Sequence, residues 1–393
     1  MRAWLLWLHR IAGLAMAAFL VLAGLTGSVI AFHDELDGWL NPDLTTAPDV
    51  AAASPLPPGD LVARVEADPR VQLRYLQFRP DPGGTVVAFV DPRPGIDPAA
   101  AATLDYNQVF IEPDTGTVLG RREWGGCCLG QRQIVPFLYS LHYTLAAGQV
   151  GQWLMGGIAI LWALDCFGGL VLTLPRSGPG FLARWRVAWQ IKRGASLHRF
   201  IVDLHRAGGL WLWVTLLTLA VSAVALSLRE EVFHPVLSRL VPTGPTLLQT
   251  AAARTPPPPD RPRLSYEAAI ARAAAIARAA HWPGVPGGIY ENRAIGVYGI
   301  YFFPAGGHHA AGLGMPAIYL DDSTGAVLRQ DLPGEGRAGD LVMQAQFPLH
   351  SGQIAGLPGR IVIAATGIGV AVLSISGVVL WWRKRQARRR QAG

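Results

Sequence analysis

The chain has 393 residues, 51% of them hydrophobic and 16% charged, against a usual charged share of about 25%. That composition excludes a disordered chain and argues against a purely soluble one, and three Cys exclude a disulfide-rich scaffold. Net charge is +7 and the pI about 9.7, with mean hydropathy +0.28, but the positions of the cations point to membrane topology and lipid contact rather than to nucleic acid.

Four apolar stretches are long enough to cross a bilayer: residues 11–32, 153–174, 207–228 and 361–382. The first is longer than the apolar core of about 7–15 residues in a signal peptide, and no A-x-A site follows it. It reads as an uncleaved anchor. The expected partition is a first span in 1–32, an outer segment 33–148, a second span 149–174 and a loop 175–206. A third span 207–228, an outer segment 229–356, a fourth span 357–382 and a tail 383–393 complete it.

Charge sets the direction. The 175–206 loop holds seven basic residues and one acid, and 383–390 has six basic residues in eight. Segment 33–148 has eight basic and fifteen acidic residues, and 229–356 has ten of each. Positive loops stay inside, so both termini are expected in the cytoplasm and the two long segments in the periplasm. The basic tail is expected to contact membrane lipid.

The chain repeats itself. Leu8-His9-Arg10-Ile11-Ala12-Gly13 matches Leu204-His205-Arg206-Ala207-Gly208-Gly209 at an offset of 196. An offset of 208 pairs His142 with His350, Gly148 with Gly356, Gly151 with Gly359 and Gly169 with Gly377. Each half is span, outer segment, Leu-His segment, span, which predicts parallel repeats about an axis along the membrane normal. Each outer segment reads as an α+β domain. The first has a helix near 61–67 and strands at 73–78, 85–90 and 106–112. The second has a helix over 266–280 capped by Ser265, then strands at 294–303 and 316–321. Pro113-Asp114-Thr115-Gly116 and Asp322-Ser323-Thr324-Gly325 are hairpin turns. Pro-rich stretches 55–58 and 256–259 join the domains to the preceding spans.

These features resemble the PepSY-associated transmembrane family, often described as iron-regulated inner-membrane proteins. The resemblance rests on the N-terminal Leu-His-Arg-x-x-Gly, on Thr26-Gly27-Ser28, Asp34-Glu35-Leu36 and Asn41-Pro42 after the first span, on both turns above and on both Leu-His…Gly-x-x-Gly approaches to the even spans. It implies an α-helical integral membrane protein of four spans in two parallel repeats, with two periplasmic α+β PepSY-like domains, located in a bacterial inner membrane. Some members resemble ferric-siderophore reductases that carry b-type haem, so the resemblance implies a ferric siderophore as electron acceptor.

The histidines fit that expectation. His9 and His205 lie at the inner ends of spans one and three, and His142 and His350 just outside spans two and four. Neutral imidazole is a common axial ligand of haem iron. Symmetry pairs His9 with His205 and His142 with His350, giving two haem b sites. Arg10 and Arg206 follow the inner ligands and can meet haem propionates. Gly13, Gly24, Gly27, Gly208, Gly209 and Gly377 would admit a flat macrocycle. His198, His33 and His234 are lesser candidates, and a rival wiring pairs His33 with His142. The alternative is that the histidines are interfacial anchors. His281, His308 and His309 read as ordinary surface or loop residues. No C-x-x-C-H is present, which excludes covalent c-type attachment.

Asp165 lies inside span two, where a charge costs about 2.5–3.5 kcal/mol, so it is expected to be protonated, paired or functional. Its repeat mate is Leu373. Cys127-Cys128 can form a vicinal disulfide, bind metal or do neither, and Cys166 reads as an apolar packer.

The function expected is a di-haem b oxidoreductase that carries electrons from the cytoplasmic side to a periplasmic ferric siderophore, releasing Fe(II). No nucleotide-binding G-x-G-x-x-G follows a strand and no P-loop occurs, so the electron donor is a separate cytoplasmic partner or a membrane quinol. One alternative is a non-enzymatic, membrane-anchored PepSY module that binds or regulates a periplasmic partner. A transporter fits poorly, with a single intramembrane carboxylate.

Overall fold

Long apolar sequence leaves backbone groups no partner in lipid but one another, which favours helix. The first, second and fourth apolar stretches are single helices, Arg2–Ile30, Gly148–Thr173 and Gly356–Ala392. The third is a bent pair, Leu197–Trp211 and Trp213–Ser227, turned by 66° at Leu212. Among the described residues, three helices are long and apolar enough to cross a membrane, or four if the bent pair is one span. The computed structural model describes residues 2–48, 54–78, 81–99, 103–128, 130–254, 261–304 and 311–392. His308, His309 and the Pro-rich stretch 256–259 lie outside these.

The chain divides into a helical unit (Met1–Phe32, Leu138–Val236, Gln346–Gly393) and a strand-rich unit (His33–Phe137, Leu237–Ala345). In the helical unit, the first and fourth spans cross at glycines. A Cβ on Gly24 would overlap the Gly367 carbonyl oxygen, and Ser28 Oγ lies 2.8 Å from Ala364 O. Small residues let two backbones approach in lipid. Gly24 is thus spent on helix packing, not on bordering a macrocycle. The second span meets the third, where Trp213 Nε1 donates to Cys166 O at 2.9 Å.

The third stretch differs from expectation at its start. Ser196 caps a helix from Leu197, accepting from Arg199 N. That helix is amphipathic rather than apolar, and its buried Asp203 accepts from Arg199 Nε and Arg206 Nη2, both at 2.8 Å. Ten residues assigned to the loop thus belong to the helix. The fourth helix likewise runs on through the basic tail.

The Gly-x-x-Gly motifs make sharp turns. The helix Ile134–Thr144 ends against the second span, and a Cβ on Gly151 would overlap Thr144 O. The helix Ala338–Ser351 ends against the fourth in the same way, with Gly359 on Gly352 O. Thr144 and Gly352 are themselves 208 residues apart.

Among the described residues, the strand-rich unit holds one antiparallel sheet of eight strands. These are β1 Val71–Gln77, β2 Val86–Pro92, β3 Gln108–Ile111, β4 Val118–Arg122, β5 Val285–Asn292, β6 Val297–Phe303, β7 Ala317–Asp321 and β8 Val327–Asp331. Their order is β4-β3-β2-β1-β5-β6-β7-β8. Two meanders meet at β1 and β5, with Leu76 opposite Ile289. The two outer segments, expected as separate domains, share this sheet. Pairing β1 with β5 removes the open edge that each four-stranded half would present. The helices Pro58–Val65 and Tyr266–Ala279 contribute Leu61, Val62, Val65, Ala269, Ala273 and Ala277 to its core. Ser265 Oγ accepts from Ala268 N, the expected cap. Strands β4, β5 and β8 were not expected: β5 opens Val-Pro-Gly-Gly, and β4 and β8 are rich in charge.

The hairpin turns are built on acids. Asp321 Oδ1 accepts from Ser323 N at 3.0 Å and Thr324 N at 2.8 Å, and from both hydroxyls. Burial alone would raise the Asp321 carboxyl, but these donors outweigh it and hold it well below the usual carboxylate range. A depressed folded pKa contributes stability above the unfolded value, near 3.8, and that stability is lost as pH falls below it. Asp321→Asn should therefore be less stable at neutral pH and lose less on going from about pH 5 to pH 3. Chemical unfolding of the two proteins at both pH values checks this; equal acid losses would contradict it.

Candidate functional site

The helical unit brings four histidines together in two pairs. His9, on the first span, faces His205, on Leu197–Trp211, with ring centres 6.1 Å apart and planes inclined at 62°. His142, on Ile134–Thr144, faces His350, on Ala338–Ser351, with ring centres again 6.1 Å apart and an angle of 60°. These are the repeat-related pairs, and His142 faces His350, in the other half of the chain.

Each ring is fixed through Nδ1. His142 Nδ1 lies 3.0 Å from Ala23 O and 3.1 Å from Thr26 Oγ1. His350 Nδ1 lies 2.9 Å from Ser222 Oγ. His205 Nδ1 lies 3.0 Å from both Leu373 O and Ser376 Oγ. His9 Nδ1 lies 2.9 Å from Asp165 Oδ1. A carbonyl or carboxylate oxygen only accepts. The three hydroxyls each give their one proton to their own helix: Thr26 to Leu22 O at 2.7 Å, Ser222 to Thr218 O at 2.7 Å and Ser376 to Leu373 O at 2.8 Å. All four imidazoles therefore donate at Nδ1, which leaves the Nε2 lone pair for a metal.

The separation suits such use. A metal–imidazole bond is about 2.0 Å and a ring centre lies about 1.1 Å beyond its nitrogen, so two imidazoles opposed across one metal atom have centres about 6.2 Å apart. Glycines make room for the rings. A Cβ on Gly27 would lie 2.9 Å from His142 Cε1, one on Gly377 3.2 Å from His205 Cε1, and one on Gly169 3.6 Å from His9 Cε1. Gly27 and Gly377 thus admit the imidazole edge. Gly208 packs on Leu373. Gly13 and Gly209, one turn beyond His9 and His205 on the same faces, meet nothing within 4 Å where a Cβ would stand.

The remaining candidates separate from the pairs. Arg206 is committed to its own loop: Nη2 donates to Val187 O at 3.0 Å and to Asp203, and Nε to Ala188 O at 3.2 Å. The sequence assigned it to a propionate, but buried Asp203 claims it. Arg10 and Lys384 are near enough to repel each other electrostatically. His198 is exposed on its helix. His33 lies in the strand-rich unit, 3.3 Å from Asp34 Oδ1. His234 is buried after a π-helical turn, and its Nε2 has no hydrogen-bond partner among the described residues. Cys127 and Cys128 form a vicinal disulfide, and Cys166 is buried and free. Among the described residues, no three His, Cys, Asp or Glu side chains gather to hold a bare metal ion.

Sequence reasoning missed the acceptors. Thr26 and Ser222 share the 196 offset of His9 and His205, so the repeat already carried the signal. An ¹⁵N spectrum of His-labelled protein should show Nδ1-protonated tautomers for four histidines. Thr26→Val with Ser222→Ala should broaden or shift two of them; four Nε2-protonated rings would contradict the arrangement.

No curated protein matches the chain. The family model described as the PepSY-associated TM region matches residues 6–384, and the chain belongs to that family of membrane proteins.

Proposed function

We propose that the chain is an inner-membrane di-haem b oxidoreductase built as two parallel repeats. Its acceptor is a periplasmic ferric siderophore, and its donor is a quinol or a cytoplasmic protein. The observation that carries this reading is the pairing of His9 with His205 and of His142 with His350, each at 6.1 Å with Nδ1 engaged. When bound, two b haems supply one-electron transfer across the membrane, so that the ferric iron of the chelate gains one electron and becomes Fe(II), which hard oxygen ligands hold less well.

The chain's own residues account for binding and orientation. His9 and His205 would hold the inner group and His142 and His350 the outer one, each through Nε2. Open space at Gly13 and Gly209 leaves room for a flat ring beside the inner pair. Arg10, next to His9 in the chain, is the cation we assign to a propionate there. A purely regulatory membrane-anchored module would need none of these paired imidazoles.

The ligand assignment is tested by substitution. His9→Ala and His205→Ala should each remove about half of the haem absorbance, and the double variant should cost little more, because two ligands of one centre act as a unit. His142→Ala and His350→Ala should do the same for the other half and abolish reduction of an external ferric chelate. His33→Ala should leave the spectrum nearly intact. Loss of haem in His33→Ala with His350→Ala spared would overturn the assignment.

Orientation follows from charge, with 175–206 and the basic tail cytoplasmic and the strand-rich unit periplasmic. A Cys introduced at residues 81–84 should react with an impermeant thiol reagent in intact cells, and one at 178–194 only after lysis. The reverse pattern would overturn the orientation.

A further inference from the structure

Three of the four paired histidines rest on neutral acceptors: a carbonyl and a hydroxyl for His205 and His142, and a hydroxyl for His350. His9 alone rests on a carboxylate, Asp165 Oδ1 at 2.9 Å. The exception is written into the repeat. At the 208 offset Asp165 corresponds to Leu373, whose carbonyl serves His205, and Gly168 corresponds to Ser376, whose hydroxyl serves it too. The first half has lost the hydroxyl and gained a charge. The Asp165 side chain is 12% exposed, and it accepts a hydrogen bond from His9 Nδ1.

A carboxylate that accepts the Nδ1 proton makes the opposite nitrogen a stronger electron donor. Its negative charge also acts at short range in a poorly polarisable interior. Both effects favour the more positive oxidation state of a metal held at Nε2, and so lower its reduction potential.

We propose that Asp165 is a positioning residue that makes the His9–His205 centre the lower-potential member of the two, so that electrons run from the inner pair to the outer pair and not back. The inference rests on the haem reading above. It gives direction to two histidine pairs of the same ring separation: the inner pair carries one carboxylate-backed imidazole, and the outer pair carries none.

The test is a spectroscopic redox titration of the full chain in detergent, with haem content measured in parallel. The wild type should show two one-electron components. D165N keeps an acceptor but removes the charge. D165L/G168S transplants the arrangement around His205 into the first half. Both should raise only the lower component, by at least a tenfold change in the oxidised-to-reduced ratio at fixed solution potential, about 59 mV for one electron. D165E, which keeps the charge, should stay near the wild type. Two haems with unmoved potentials in D165N and D165L/G168S would overturn the proposal. So would loss of the inner haem in both, which would reduce Asp165 to a support for the ring. A wild type with no bis-histidine haem would instead bring down the haem reading, and this inference with it.

Discussion

Each paired histidine gives its Nδ1 proton to an acceptor on a neighbouring helix, and the helical unit is organised around those four bonds. His9 ties the first span to the second through Asp165. His205 ties the bent third segment to the fourth through Leu373 and Ser376. His142 and His350 tie the two Leu-His helices to the first span and to Trp213–Ser227. In an apolar surrounding an imidazole N–H without an acceptor is costly, so each bond fixes both a tautomer and a helix position. The glycines follow from this constraint. Gly27 and Gly377 accept ring edges, and Gly151 and Gly359 turn the chain sharply enough to deliver His142 and His350.

Much of this was legible because it was written twice. The offsets of 196 and 208 singled out, before any geometry, the four histidines that the helical unit brings together in two pairs. Duplication also explains what composition hid. Thr26 and Ser222 look like unremarkable hydroxyls within apolar helices, and only their shared offset marks them as acceptors. Features without a repeat mate were harder to read. Asp165 stood out by its cost in lipid, but no periodicity tied it to His9, 156 residues away. Arg206 shows the opposite case: its repeat mate Arg10 suggested a shared role, while Asp203, which has no counterpart, accepts a hydrogen bond from it.

The strand-rich unit shows the same limit. Its turns were readable, since Asp321 with Ser323 and Thr324, and Glu112 with Thr115, form local hydrogen-bond sets. The joining of two meanders at Leu76 and Ile289 was not, because a seam of antiparallel pairs leaves no periodic mark that distinguishes it from any buried strand. The charged outer strands β4 and β8 lacked the β-branched runs by which strands are found. The helix Leu197–Trp211 begins inside the stretch read as a loop because it is helical through its amphipathic face and cap rather than through apolar length.

The account stands on one claim, that the two imidazole pairs each hold an iron porphyrin. The most direct measurement is haem content per chain of the protein purified from cells supplied with iron, read as the pyridine haemochrome together with low-temperature EPR. The account predicts two extractable b haems per chain, both low-spin with two histidine ligands. Protein that is folded, membrane-embedded and colourless would contradict it.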